Sequence, residues 1–397
     1  MRTFNIPPGQ IEKRLLNLQE HIRINKLDGV LIIQRVDLIY FSGTAQNGCL
    51  YVPAHKAPLL FIKRSHSRAC KESPLKNILR IQSIKEVPGL IRDFYSALPL
   101  KLGLELDVMP VNQFRFIESL FPGCRPMDAS KMILGIRMIK SEWEIAQLEH
   151  TADMSAKTFA YMQTALKEGY TEMEFAGMFE TFARRLGHGG KIRIRDYKTE
   201  GYSWHVLSGK SGSLPGLLDS PASGQGTSLA FPCGAGRKKL RPKEPIMVDF
   251  AAVLNGFHMD ETRMFAIDAM PDKAMQACED AIDIHDFILE KAGPGISAGE
   301  LFQLALDRAD SLGCAHSFLG APGNKVRFIG HGIGHELVEP PIIAQGKQDV
   351  LQPGMTIALE PKMVVENEFT AGIESVFAVT TQGTRLISRV PVQIFIS

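Results

Sequence analysis

A mixed α/β (α+β) architecture in two domains follows from three features of the sequence. Short apolar runs alternate with a helical pattern over the first 130 or so residues, a pair of capped amphipathic helices begins at Ser141, and a hairpin signature surrounds Asn255-Gly256. The chain has 397 residues, enough for a large buried core and for more than one domain. Hydrophobic residues make up 45% and charged residues 22%, near the average of soluble globular proteins. No stretch of about 18 uncharged apolar residues occurs, so no membrane span is predicted. The opening MRTFNIPPGQ lacks the apolar core of a secretory signal. Lys plus Arg is 45 against 43 for Asp plus Glu, a balance that argues against a nucleic-acid partner. Cys49, Cys70, Cys124, Cys233, Cys278 and Cys314 are scattered without a C-x-x-C, the pattern of reduced thiols in a cytoplasmic protein.

In the first domain, Ile11, Leu15, Leu16, Leu18 and Ile22 mark a helix between Gln10 and Lys26. Four apolar runs follow: Asp28 to Ile33, Asp37 to Phe41, Cys49 to Val52, and Leu59 to Ile62. Separated by Gly, Pro and Asn, they are predicted strands of a mixed sheet. No cluster of metal-ligating or nucleophilic residues appears among them, so this segment is expected to be non-catalytic.

The second domain is expected to open near residue 133, ahead of two capping boxes. Ser141-Glu142-Trp143-Glu144 starts a helix running toward Gly169, and Thr171-Glu172-Met173-Glu174 starts another ending near Gly187. From Ser208 to Gly236 the chain holds seven Gly, six Ser and three Pro, which predicts a loop of the kind that forms lids or binding segments. The basic run Arg237 to Lys243 reads as a solvated turn.

The strongest local signal surrounds Asn255-Gly256, flanked by two β-type runs. With those two residues in the turn, Asp260 faces Ala251 and Asp249 lies two positions along from Ala251. Both carboxylates then project from one face as diagonal neighbours, about 7–8 Å apart at the backbone. Like charges so placed repel unless a cation lies between them. The alternative is one buried-face Asp and one surface Asp.

Three more segments carry ligand-type residues. His331 stands in Gly330-His331-Gly332-Ile333-Gly334, where flanking glycines let backbone approach and leave the imidazole unobstructed. His335 suits a polar surface role or a substrate contact. Glu360 and Glu374 each stand in or at the edge of an otherwise apolar strand, where an unpaired carboxylate is costly and requires a cation or a donor. A partner Arg or Lys would serve either one alone. Together Asp249, Asp260, His331, Glu360 and Glu374 supply four carboxylates, which offset two divalent cations, in an oxygen-rich shell suited to Mn, Co, Fe or Zn. Two such metals about 3.5–4 Å apart hold a bridging hydroxide and polarise a carbonyl.

In this order and local context, the five residues resemble the M24-type metallopeptidase family of Xaa-Pro aminopeptidases, prolidases and methionine aminopeptidases. That family has the pita-bread fold and an Asp-Asp-His-Glu-Glu dinuclear metal site. The similarity extends to Thr262 and Arg263, to Glu360-Pro361, to Gly372 through Glu374, and to an R-x-x-K-S-x-x-E-I segment at Arg137, Lys140, Ser141, Glu144 and Ile145. It covers nearly the whole chain. It implies a creatinase/prolidase-like N-terminal domain over residues 1–132 and a pita-bread catalytic domain over 133–397. The implied activity is removal of an N-terminal residue, chiefly before proline, by a hydroxide bridging two divalent metal ions, manganese foremost. Metal ligands would be the five residues, with Glu360 also taking the water proton and His335 touching substrate. The implied partner is a peptide, and the implied assembly a homodimer.

The chain departs from the family pattern at residues that usually hold substrate. Val338 stands where proline-directed members carry a His, Gly216 where they carry another, and Gly372 where they carry an Arg; Ser375 follows the last Glu in place of Asp. His205, His335 and Glu339 are the candidate substitutes for substrate binding. Two other readings of the same fold remain, a C–N hydrolase related to creatinase and a peptide- or protein-binding module with weak or no catalysis. Retention of all five ligand-type residues counts against both.

Overall fold

The structure, a computed structural model, describes residues 4–196, 201 and 204–397. It divides into two compact units, Met1–Arg137 and Met138–Ser397. The division comes at the end of the helix Ser130–Met138, a few residues past the expected boundary at 133.

In the first unit the strands Ile78–Arg80, Leu59–Ile62, Gly48–Pro53, Gly29–Ile32, Lys101–Leu104 and Arg125–Asp128 form one sheet in that order. Gly29–Ile32 is antiparallel to Gly48–Pro53 and parallel to Lys101–Leu104, so the sheet is mixed. All four of its residues are buried, as an unbroken apolar run implies. One expected strand is a helix instead: Asp37 to Phe41 lies within Arg35–Ser42. The Gln34 side chain accepts from the Val36 and Asp37 N–H groups, and Gly43 at φ 79° ends the helix. The helix is buried on most of its faces, so its five-residue apolar run carries no periodicity to separate it from a strand. Asp37 accepts from the Arg137 guanidinium at 2.7 Å, with both side chains buried.

Both predicted capping boxes open the second unit. Ser141 caps Glu142–Ala165, which stops short of Gly169, and Thr171 caps Glu172–Leu186, closed by Gly187 at φ 109°. These helices back a sheet in which Ile246–Leu254 and Phe257–Ala266 form the expected hairpin. Asn255 and Gly256 both adopt positive φ, 55° and 85°, the geometry that a two-residue turn requires of its central pair. Phe159 stacks on Phe265, with ring centroids 6.2 Å apart, and Phe179 meets Phe250 edge-on at 5.6 Å.

A five-stranded sheet forms the other half of this unit, in the order Glu339–Ala344, Phe328–Gly332, Thr356–Leu359, Ser375–Thr380, Gly383–Leu386. The helices Asp272–Lys291 and Ala298–Ser311 back it, and their Ile284, Ile288, Leu301 and Phe302 share one core with Ile329, Ile357 and Phe377. A short ladder, Lys362–Val365 with Phe369–Gly372, joins the two halves. Among the described residues, no helix is long and apolar enough to cross a membrane. No cysteine forms a disulfide among the described residues, and Cys49, Cys233, Cys278 and Cys314 are buried.

Candidate metal centre

The hairpin has the register that places its two carboxylates together. Asp249 pairs with Thr262, and Asp260 pairs with Ala251. His331 enters from Phe328–Gly332, paired with Ala358 on one side and Ile342 on the other. Its flanking glycines answer a packing need: a Cβ on Gly330 would lie 2.4 Å from the Ala358 carbonyl oxygen, and one on Gly332 would lie 2.2 Å from that of Pro340. Glu360 follows Thr356–Leu359 and is anchored by its N–H on the Ile329 carbonyl at 2.8 Å. Glu374 sits between two strands and bridges to Thr262, so its carboxylate faces the hairpin.

Thr262 and Arg263 lock that bridge. The Thr262 hydroxyl donates to Glu374 Oε2 at 2.8 Å. The buried Arg263 guanidinium donates to the carbonyls of Glu374 and Val390, each at 2.6 Å, and to that of Thr262 at 2.8 Å.

The five predicted ligand-type residues therefore converge. Ligand atoms of Asp260, His331 and Glu374 all lie within 4.8 Å of one another, and the three side chains are buried. His331 Nδ1 is 3.0 Å from the Gly332 carbonyl, which leaves Nε2 as the ring nitrogen turned toward the carboxylates. That nitrogen is 3.7 Å from Glu360 Oε1 and 3.9 Å from Asp260 Oδ2.

One member of the cluster escaped the sequence analysis. Lys362 is buried, and its ammonium donates to Glu360 Oε2 at 2.8 Å, Asp249 Oδ2 at 3.0 Å and Glu374 Oε2 at 3.4 Å. Strand alternation carries the signal, since positions 360 and 362 lie two apart and their side chains fall on one side. The partner Lys considered for a lone buried carboxylate is present, and it serves three of them.

The charges leave their mark on protonation. Burial raises the Asp260 carboxyl well above its ordinary range, with Glu374 and Asp249 adding to the rise. Glu374 is pushed up to about 8, by burial first and then by Glu360 and Asp249, against the pull of Lys362. Burial would also raise Asp249, but Lys362 and His205 outweigh it and hold that carboxyl low. Burial alone would lower Lys362, yet the surrounding carboxylates raise it well above the usual lysine range. Four carboxylates against one ammonium leave an uncompensated negative charge. Asp260 Oδ1 is buried and without a hydrogen-bond partner among the described residues. A divalent cation fits the Asp260, His331 and Glu374 end of the cluster on both counts.

The cluster floors a cavity of about 660 Å³, whose wall includes the apolar Leu217, Leu218, Phe328, Leu337, Val338 and Ile342. Leu217 through Ser220 come from the Gly- and Ser-rich segment expected to be a binding loop. His205, paired in register with Asp249, also lines the cavity. Burial lowers its pKa, and Lys362 assists while Asp249 opposes. His335 and Glu339 are not part of this wall. The His335 ring lies 4.2 Å from that of Phe257, with Nδ1 3.2 Å from the Gly256 carbonyl. Glu339 accepts from Lys140 at 3.2 Å and from the Glu336 N–H at 2.9 Å, a buried clamp against which Gly334 packs.

Hairpin, imidazole and two further glutamates line one cavity, and Asp260, His331 and Glu374 there could hold a metal ion. Residues 146–381 match metallopeptidase family M24, and residues 14–139 match the creatinase/prolidase N-terminal domain. The chain belongs to metallopeptidase family M24. It is 24% identical over 383 residues to a Xaa-Pro dipeptidase of Pyrococcus furiosus, an alignment covering 96% of this chain and 98% of that one. It is 23% identical to an uncharacterized peptidase of Bacillus subtilis, over 93% of this chain and 96% of that one. Its fold matches a solved Xaa-Pro dipeptidase from Bacillus anthracis with a TM-score of 0.83 at 21% identity, covering 98% of this chain and all of the other. An X-Pro aminopeptidase from Thermotoga maritima gives 0.81 at 21% identity, over 95% and 100% of the two chains.

Proposed function

We propose that this protein is a divalent-cation-dependent peptidase that releases the N-terminal residue of Xaa-Pro peptides, as a dipeptidase or an aminopeptidase P type enzyme. The observation that carries the proposal is the convergence of Asp249, Asp260, His331, Glu360 and Glu374 on the floor of one cavity. Its volume, about 660 Å³, lies within the range of small-ligand sites and accommodates a short peptide. The named relatives support the Xaa-Pro preference.

Asp260, His331 and Glu374 hold the cation, and Glu360 borders it through Oε1. The oxygen-rich set with one imidazole favours manganese, with cobalt, zinc and iron as alternatives. When bound, the ion supplies Lewis acidity to the scissile carbonyl and acidity to a water. Glu360 accepts the proton of the attacking water, with its second oxygen held by Lys362. His205, kept neutral by burial, presents its imidazole to the substrate from the cavity wall. The apolar side chains around Val338 receive the proline ring and keep bulk water from the reacting bond. The resemblance supports a cytoplasmic homodimer.

The test is manganese- or cobalt-loaded protein on Xaa-Pro dipeptides and tripeptides, with Xaa-Ala controls. Release of the N-terminal residue from the proline series is the expected result. A metal-loaded protein that cleaves none of them would falsify the assignment.

A further inference from the structure

The dinuclear expectation assumes that every positive charge among the four carboxylates comes from metal. Lys362 already supplies one. Its Nζ is within 3.0 Å of Asp249 Oδ2 and Glu360 Oε2, and 3.4 Å from Glu374 Oε2. One oxygen of each of these three carboxylates, a candidate ligand for a cation at the Asp249 end, therefore already accepts from the ammonium. A divalent ion coordinating the same oxygens at about 2.0–2.2 Å would sit against the ammonium, with like charges in a buried site.

The backbone is arranged to admit this side chain. Lys362 pairs in register with Gly372, and a Cβ built on Gly372 would come within 2.6 Å of Lys362 Cγ. Gly372 is the position at which the resembling family carries an arginine. This chain has its cation across the ladder, at position 362, with the ammonium inside the cluster. The other end of the site remains open to a metal. Asp260 Oδ1 is buried and unpartnered among the described residues, and Asp260, His331 and Glu374 offer ligand atoms within 4.8 Å of one another.

We propose that Lys362 is a built-in cation standing in place of one metal, so that the centre takes a single divalent ion at Asp260, His331 and Glu374. The inference rests on the cation-binding part of the function proposed above and is independent of the peptide preference. Four carboxylates, one ammonium and one divalent ion leave one net negative charge within the cluster, and a second divalent ion with a hydroxide would bring the sum to zero. Charge balance thus permits either content, and the space and donors taken by Lys362 decide between them.

The experiment is metal counting by mass spectrometry on full-length protein stripped with chelator, saturated with Mn²⁺ and desalted. Wild type is expected to hold about one equivalent per chain, and Lys362→Gly, with the ammonium gone, about two. Two equivalents in wild type, or one in a folded Lys362→Gly, would overturn the inference and leave the metallopeptidase reading standing. None in wild type would overturn both. Electron paramagnetic resonance of Mn²⁺-loaded wild type gives a readout that depends on no variant: isolated-ion hyperfine structure supports the inference, and an exchange-coupled pair spectrum refutes it. Lys362→Met, which retains most of the side-chain volume, adds a folding control.

Discussion

Lys362 and Gly372 face one another across the ladder between Lys362–Val365 and Phe369–Gly372, and the missing side chain of the glycine makes room for the lysine. The distance of 2.6 Å from a built Cβ to Lys362 Cγ falls near the root of that side chain, where a rotamer change gives little relief. Gly372→Ala is therefore expected to cost about 1–3 kcal/mol through overpacking. Urea unfolding of the two proteins measures it, and equal midpoints would show that the lysine stem yields freely.

Thr262 orients a carboxylate of the centre without itself reaching the cation site. Its hydroxyl donates to Glu374 Oε2 at 2.8 Å, and Val matches its shape without the donor. Thr262→Val is expected to weaken Mn²⁺ binding by about 10–100-fold, the usual effect of losing a partner that positions a metal ligand. Titration calorimetry of the chelator-stripped protein reads this directly. Unchanged affinity would mean that the backbone bridge alone orients Glu374.

The first unit carries a pH response of its own. Burial, then the Asp37 carboxylate, pushes Glu105 well above the ordinary carboxyl range, although the Ile33 and Gln34 N–H groups donate to it. The folded form thus keeps a proton that the unfolded chain releases above about pH 4.3. The folded state binds more protons in that window, so stability is greatest in mild acid and declines as pH rises toward the raised folded-state value. Glu105→Gln retains the shape and removes the titration. The variant should gain on wild type steadily between pH 5 and pH 8, as followed by urea midpoints. Parallel curves would contradict the assignment.

Much of the site was legible in the sequence because it is written in local rules. Asn255-Gly256 sets the hairpin register, and the register alone puts Asp249 and Asp260 on one face. Glycines around His331 announce close backbone contact, and an acidic residue in an apolar strand announces a partner. Where local rules stop, expectation and structure part. Asp37 to Phe41 is helical because a side-chain cap from Gln34 and a left-handed Gly43 outweigh an apolar run too short to show a period. Glu339 is drawn into a clamp with Lys140 and His335 into a tilted ring contact with Phe257, contacts made by residues distant in the chain.

The sequence by itself determined the family, the capped helices and central hairpin of the second unit, and the five side chains that meet above that hairpin. Each follows from spacing and residue type over a few neighbours. Only the tertiary structure decided what else meets there. Lys362 reaches the carboxylates because Gly372, ten residues on and opposite it in the ladder, offers no Cβ to block it. That clearance is a property of packing between segments, and no periodicity within either segment records it.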